Sequence, residues 1–168
     1  MTKRIILLQA LASTPNDINR LVRSLDQTSA GWRPLLGDWS CRDVVNHLRY
    51  IEPLYLARLQ RVIAEDEPAV PTIHPDTVPD DPELTISDLA GRFRAAREAT
   101  LTFLQELSPG GWQRVAHHER NGRMTFRYLV QDLVSHDIEH TNQLVEIQSR
   151  YRAALKQQAV VVRGRDGQ

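Results

Sequence analysis

The stretch LVSHDIEHTNQ, residues 133–143, is the most informative part of this sequence, for the fold as well as for the chemistry. Its apolar residues recur with the period of an α-helix, and His136 and His140 fall in the same stripe as Leu129, Leu133, Leu144 and Ile147. Histidines four residues apart lie about 5–6 Å from each other at Cβ, so both rings can bind one metal ion. Two buried histidines held by hydrogen bonds produce the same pattern. An isolated pair leaves both interpretations open.

The N-terminal segment shows a first helical stripe, formed by Ile18, Leu21, Val22 and Leu25. Thr14 is a suitable N-cap, and Pro15 suits the first helical position, where its missing N–H group costs nothing. The sequence predicts that this helix runs to about Thr28. Residues 1–13 could form a separate helix ahead of it.

Two central helices have start signals of the same kind. The second helix is predicted to begin at Ser40, where Asp43 completes a capping box, and to end near Glu65. Pro53 lies inside it and is predicted to kink it. The third helix is predicted to begin at Ser87 and to stop at the sequence SPGGW.

A fourth, long helix is predicted from near Thr125 to beyond Tyr151. The dipeptide Asn121-Gly122 just before it is a turn signal, so a short loop or hairpin should precede the helix. The final residues, VVVRGRDGQ, have the composition of a tail. No strand of convincing length and no repeat is visible.

A proline-rich connection, residues 66–84, joins the second and third helices. Connections this long are uncommon in compact domains and are usually functional or loosely ordered, so a lid over a pocket is one interpretation. In a bundle, this length could let the third helix run parallel to the second. The sequence therefore predicts an all-α protein, a four-helix bundle in one domain over 1–168, with a core of about 14–151 and a C-terminal extension of 152–168.

Composition excludes several classes of function. The 21 basic residues balance 21 acidic residues, whereas nucleic-acid binders usually carry a basic surplus. No apolar run approaches the ~18 residues that span a bilayer. The N-terminus resembles an export signal, but its apolar run is interrupted at Gln9, and we expect a cytoplasmic protein. The single cysteine, Cys41, excludes a four-cysteine zinc site and is predicted to be a packed residue, not a nucleophile.

A third histidine, His47, strengthens the metal interpretation because it lies close to the apolar side of the second helix. Facing helices of a bundle can supply one plus two histidines to a metal site. Three nitrogen ligands leave a coordination position open, which is typical of catalytic sites.

Other residues are weaker candidates for this site. His117 and His118 lie in the loop before the fourth helix, and His74 lies in the proline-rich connection; loop histidines are usually solvated. Three acids, Glu52, Asp137 and Glu139, could orient an imidazole, although an exposed acidic face is the favoured role.

At these residues the chain resembles the DinB/YfiT-like superfamily, a group of metal-dependent four-helix-bundle proteins. The resemblance runs through TPNDINRLVRSL, GDWSCRDVVNHLRYIEPLYLARLQRVI, FRAAREATLTFL and NGRMTFRYLVQDLVSHDIEHTNQL, roughly residues 14–150. It implies a bundle with a less usual helix order. It also implies that His47, His136 and His140 are three metal ligands. Better understood branches of the family resemble thiol-dependent enzymes, including bacillithiol transferases and a mycothiol-dependent isomerase.

These observations predict a metal-dependent enzyme, although they assign no further catalytic residue. A divalent metal, most readily zinc or nickel but also iron or copper, would activate a thiol or water for transfer to, or hydrolysis of, a small electrophilic substrate. The expected partners are that substrate, a low-molecular-weight thiol and a second copy of the chain in a homodimer. The alternative is a non-catalytic small-molecule-binding or stress-response module with a structural or incidental metal. An export-linked lipid or peptide binder would depend on the N-terminal signal alone.

Overall fold

The structure, a computed structural model, describes residues 3–73 and 78–165. The helices are α1 Lys3–Val22, α2 Gln27–Gly31, α3 Cys41–Ala64, α4 Ile86–Glu106 and α5 Phe126–Arg165. A 3₁₀ turn covers Gly111–Gln113, and the strands are β1 Ala69–Val70, β2 Val115–His118 and β3 Gly122–Thr125. The predicted all-α class is confirmed, because four long helices form the body of the molecule.

The four long helices pack in an order that differs from their order along the chain. Helix α1 packs against α4 and α5, and α3 packs against the same two helices. Helices α1 and α3 therefore occupy opposite corners of the bundle, as do α4 and α5. In this arrangement α3 and α5, which carry the candidate histidines, are direct neighbours.

The apolar core forms two clusters, one toward each end of the bundle. One cluster includes Leu11 of α1, Leu104 of α4 and Leu133 of α5. The other includes Ile18 of α1 and Phe93 of α4. Between the two clusters, α1 and α4 contribute three buried polar residues, Thr14, Arg97 and Thr100, which belong to the layer that adjoins the candidate site.

Helix α1 is one continuous helix, so the prediction of a helix start at Thr14 and Pro15 is wrong. Both residues are buried inside the helix, and Thr14 Oγ1 lies 3.2 Å from Ala10 O, within the preceding turn. Proline cannot donate to the carbonyl four residues earlier, which is that of Leu11. Here Arg97 Nη1 donates to Leu11 O instead, at 3.1 Å. A tertiary contact thus satisfies the group that the proline leaves free.

The predicted cap of α3 is confirmed and that of α4 is wrong by two residues. Ser40 and Asp43 form both halves of a capping box at the start of α3. The cap of α4 is Thr85 instead of Ser87, because Thr85 accepts from the Asp88 N–H group and the Asp88 carboxylate accepts from Thr85 N at 2.8 Å. A threonine followed three residues later by an acid satisfies two free backbone donors, which Ser87 cannot do.

The loop before α5 is a hairpin, as its turn signal predicts. Gly122 has φ +66°, a conformation that side-chain-bearing residues rarely adopt, and β2 pairs with β3 in antiparallel register from Val115↔Thr125 to His118↔Gly122. Strand β1 pairs with β2 in parallel. The turn signal does not predict β1 or its pairing with β2, since strands of two and four residues are too short for an alternating pattern.

Helix α5 is longer than predicted and extends to Arg165. The first residues of the predicted C-terminal tail, 160–165, therefore continue the helix. Within the described residues, no helix is both long and apolar enough to cross a membrane. His74, one of the weaker candidate histidines, lies outside the described residues.

Candidate metal centre

His47 of α3 and His136 and His140 of α5 come together between the two helices. One ring nitrogen of each histidine lies within 4.8 Å of a ring nitrogen of the other two. Among the described residues, no other group of three or more histidine, cysteine or acidic side chains brings its ligand atoms this close together. The Nε2 atoms of His47 and His136 are 3.1 Å apart. Zinc–nitrogen bonds of ~2.0–2.1 Å place two tetrahedral ligands about 3.3 Å apart, so this spacing fits two ligands of one ion.

Two neighbouring side chains hold the histidine rings in place. Gln143 lies one turn beyond His140, and its Oε1 is 2.8 Å from His140 Nδ1. If Nδ1 carries the proton, it donates to this oxygen and Nε2 keeps its lone pair for a metal. Trp39 precedes the cap of α3 and stacks on His140, with ring centroids 5.8 Å apart and an angle of 6° between the planes. The same indole lies 5.0 Å from the His47 ring.

His136 is held in its neutral form. Burial, together with the nearby His140 and His47 rings, lowers its pKa from 6.5 to about 3. A neutral imidazole is the form that binds a metal, so this ring needs no deprotonation at neutral pH. Its Nδ1 is buried and has no hydrogen-bond partner among the described residues. The histidine set therefore fits a divalent metal in nitrogen type and spacing, and the neutral form of His136 is the one that binds a metal.

The three histidines open into a cleft of about 790 Å³. One wall comes from the connection between α3 and α4, through Thr72, Ile73, Val78 and Asp80, and another includes His118 of the hairpin. The connection is tied to its surroundings on both sides of the cleft. Thr72 N donates to Glu119 Oε1 at 3.0 Å, and Pro79 O accepts from Asn46 Nδ2 at 3.1 Å. The described parts of the connection thus close one side of the cleft.

A fully buried arginine, Arg97 of α4, joins all four long helices beside the histidines. Its Nε and Nη2 donate to the two oxygens of Glu52, both at 2.8 Å. Its Nη1 and Nη2 donate to the two oxygens of Asp137, at 2.6 and 2.9 Å, and Nη1 also donates to Leu11 O. All five N–H groups of the guanidinium are therefore used. Burial alone would lower the pKa of Arg97, but the bonds to Asp137 and Glu52 outweigh it and raise that pKa.

Two threonines complete this polar layer. Thr14 Oγ1 of α1 donates to Asp137 Oδ2 at 2.8 Å, and Thr100 Oγ1 of α4 donates to Glu52 Oε1 at 2.6 Å. Asp137 follows His136 directly, so the layer fixes the backbone that carries one of the candidate ligands. The layer separates the two apolar clusters of the core.

The favoured prediction of an exposed acidic face is therefore wrong for Asp137 and Glu52. Both are buried, at 2% and 1% exposure, and both bind Arg97. Glu139 is exposed, as predicted, and lines the cleft. One feature of the sequence indicated indirectly that Asp137 is buried, because this residue lies between His136 and His140 of the apolar stripe. No feature of the sequence indicated that Arg97 is buried.

The other candidate residues lie outside the histidine cluster. His117 pairs with Glu67 on the exposed side of the hairpin, at 2.9 Å. His118 lines the cleft, but its Nδ1 accepts from the backbone N–H groups of Arg120 and Asn121. Cys41 is buried in the apolar core, and burial raises its pKa to about 11, which agrees with its predicted role as a packed residue.

The sequence matches the model of the DinB superfamily over residues 10–144, most of the chain. This chain belongs to the DinB superfamily. No curated protein matches it closely enough to count as a relative.

Solved structures of the same fold agree with this assignment. YfiT from Bacillus subtilis, described as a probable metal-dependent hydrolase with an unusual four-helix bundle topology, superposes with a TM-score of 0.74 at 19% identity, covering 90% of each chain. The four-helix bundle protein TT2238 follows, with a TM-score of 0.64 at 15% identity over 85% of this chain and 98% of its own. The DinB-like protein YjoA from Bacillus subtilis superposes with a TM-score of 0.62 at 17% identity, over 86% of this chain and 91% of its own. At these identities the likeness establishes the four-helix-bundle fold.

Proposed function

We propose that this protein is a metal-dependent enzyme in which His47, His136 and His140 hold one divalent metal ion. The observation that carries the proposal is the convergence of three histidine nitrogens, within 4.8 Å of one another, at the wall of a cleft of about 790 Å³. A structural metal site is usually closed by four protein ligands, whereas three ligands beside a cleft leave a position for substrate.

The surrounding residues have separate roles in this proposal. Bound there, a divalent metal would supply Lewis acidity, which lowers the pKa of a water or thiol. Gln143 orients His140 through Nδ1, and Trp39 stacks on the face of that ring. The Arg97 layer holds α3, α4 and α5 together, which keeps the histidines on α3 and α5 at binding distance.

The nucleophile is either water or a low-molecular-weight thiol, and the substrate is a small electrophile such as an ester or an amide. The description of YfiT as a metal-dependent hydrolase supports water. The resemblance to thiol-dependent branches of the superfamily supports a thiol. Zinc and nickel are the metals we consider first for histidine-only ligation.

The first test is the metal content of untagged protein, measured by inorganic mass spectrometry. The wild type should carry about one equivalent of a divalent metal, and a His47→Ala/His136→Ala variant almost none. His117→Ala is the matched control, because it removes a histidine that pairs with Glu67 outside the cluster. Wild-type protein that stays metal-free after reconstitution would refute the proposal.

Activity then separates catalysis from simple binding. Metal-loaded protein should hydrolyse small activated esters or amides, or transfer a thiol to electrophiles, and a chelator should abolish turnover while the helical circular dichroism persists. Assays with and without added thiol distinguish the two nucleophiles. Loss of helicity on chelation, without turnover under any condition, would instead support the structural metal of a binding module.

A further inference from the structure

Two arginines are buried among the residues whose burial the structure describes, and their guanidinium groups differ in how many of their N–H groups have an acceptor. Arg97 uses all its N–H groups, as described above. The Arg58 side chain is only 5% exposed, yet its one hydrogen bond among the described residues is long, 3.5 Å from Nη2 to Asp132 Oδ2. Its Nε is buried and has no hydrogen-bond partner in the part of the chain that the structure describes. A buried donor left without an acceptor is costly, so a missing acceptor at this position is a physical sign of a ligand.

Arg58 lies in the cleft, close to the histidine cluster. Its guanidinium carbon is 4.4 Å from the centre of the Tyr55 ring, and that ring is 5.6 Å from the centre of the His136 ring. One aromatic ring thus separates the cation from a candidate metal ligand. Tyr55 stays neutral, because burial and the Asp132 carboxylate raise its pKa to about 12. Arg58, Tyr55 and His136 all line the same cleft.

A second polar atom on the cleft wall also lacks a partner. The hydroxyl oxygen of Thr72 is buried and makes no hydrogen bond among the described residues. Thr72 and Arg58 line both this cleft and a smaller adjoining groove, so they share one part of the wall. Each of the two side chains therefore keeps a buried polar atom that no described residue bonds.

We propose that Arg58, assisted by Thr72, forms a subsite that binds a carboxylate group of the substrate or of the thiol co-substrate. A guanidinium presents its N–H groups in a fork that matches the two oxygens of a carboxylate. A monoanion fits better than a phosphate dianion, because the cleft lining has more acids than arginines: Asp43, Asp80, Asp132 and Glu139 against Arg33, Arg58 and Arg120. The inference deepens the proposed function, on which it rests, by naming the substrate class as a small carboxylate.

The test compares two thiols of equal length on zinc-loaded protein by isothermal titration calorimetry. 3-Mercaptopropionate carries a carboxylate, and 3-mercapto-1-propanol carries a neutral hydroxyl in its place. Wild-type protein should bind the carboxylate about tenfold more tightly, the size expected for one charge-assisted hydrogen bond. Arg58→Gln should abolish this preference, Thr72→Val should reduce it, and Arg58→Lys should keep part of it.

The matched control is Arg61→Gln, which removes the same charge from the next turn of α3, where Arg61 is exposed and pairs with Glu65. This variant should keep the wild-type preference. Equal binding of the two thiols by wild-type protein would overturn the subsite, whether or not the Arg58 variants fold. Stronger competition by inorganic phosphate than by propionate would overturn its assignment to a carboxylate.

Propionate binding to metal-free protein separates this inference from the proposed function. If the protein holds one metal ion but shows no carboxylate preference, the subsite is wrong and the metal site stands. If the protein binds no metal but still binds propionate in a way that depends on Arg58, the subsite stands and the proposed function is wrong.

Discussion

The His140 imidazole illustrates how single residues set the properties of this site. Its ring stacks on Trp39 on one face and contacts the amide of Gln143 at Nδ1. Both neighbours restrict the ring to one orientation, and the amide oxygen favours the tautomer in which Nε2 has a free lone pair. Partners of this kind usually change metal affinity by 10–100-fold when they are removed.

We therefore predict that Gln143→Leu weakens metal binding by about 10–100-fold without changing the stoichiometry, because the three histidines remain. The dissociation constant can be measured by competition with a chromophoric chelator. Gln143→Glu, which keeps an acceptor oxygen in the same place, should retain tight binding. Unchanged affinity in Gln143→Leu would mean that the Gln143 contact does not orient the ring.

At the scale of elements, helix ends are determined by hydrogen bonds that several nearby residues could supply. Thr85 and Ser87 both precede the apolar stripe of α4, but Thr85 alone has an acid three residues later. In α1, the pair Thr14-Pro15 has the composition of a helix start and nevertheless lies in the interior. The tertiary contact from Arg97 to Leu11 O makes that interior proline tolerable.

The cap of α4 gives a test at this scale. Thr85→Ala should lower the free energy of unfolding by about 1 kcal/mol, because the Asp88 N–H group loses its acceptor. Ser87→Ala should change it by less than about 0.5 kcal/mol, since Ser87 is an exposed helical residue. Urea unfolding followed by circular dichroism measures both. The reverse order of the two effects would place the cap at Ser87.

For the whole molecule, the Arg97 layer is the feature that joins all four long helices. It places one cation between two carboxylates in the middle of the core, with every guanidinium donor satisfied. A buried ion pair need not add net stability relative to an apolar core. Removing one partner is different, because the remaining charges stay buried without compensation.

Arg97→Met should therefore lower the free energy of unfolding of metal-free protein by about 3–5 kcal/mol, since Glu52 and Asp137 would face each other without a cation. Urea unfolding measures the loss. Arg92→Met, on the exposed side of the same helix, should cost less than about 0.5 kcal/mol. A triple variant with apolar residues at 52, 97 and 137 should recover much of the stability. A loss below about 1 kcal/mol in Arg97→Met would show that the layer does not hold the bundle together.

Sequence patterns are sufficient to predict the helical class, the hairpin turn at Asn121-Gly122, the cap of α3 and the three histidines that converge. Each follows from local chemistry: a 3.6-residue period, a glycine at positive φ, a serine three residues before an acid. The histidine triad also needed the resemblance to the family, because spacing alone cannot bring His47 to the other two.

Long-range packing establishes which helices are neighbours, where the Arg97 layer lies and that Arg58 is buried in the cleft. Contacts between residues 40 to 90 positions apart leave no trace in a local pattern. An arginine in a helix has the same sequence signature whether it is solvated, as Arg61 is, or buried, as Arg58 and Arg97 are. The packing of four helices decides between these outcomes, because it alone determines which charges meet a partner away from water.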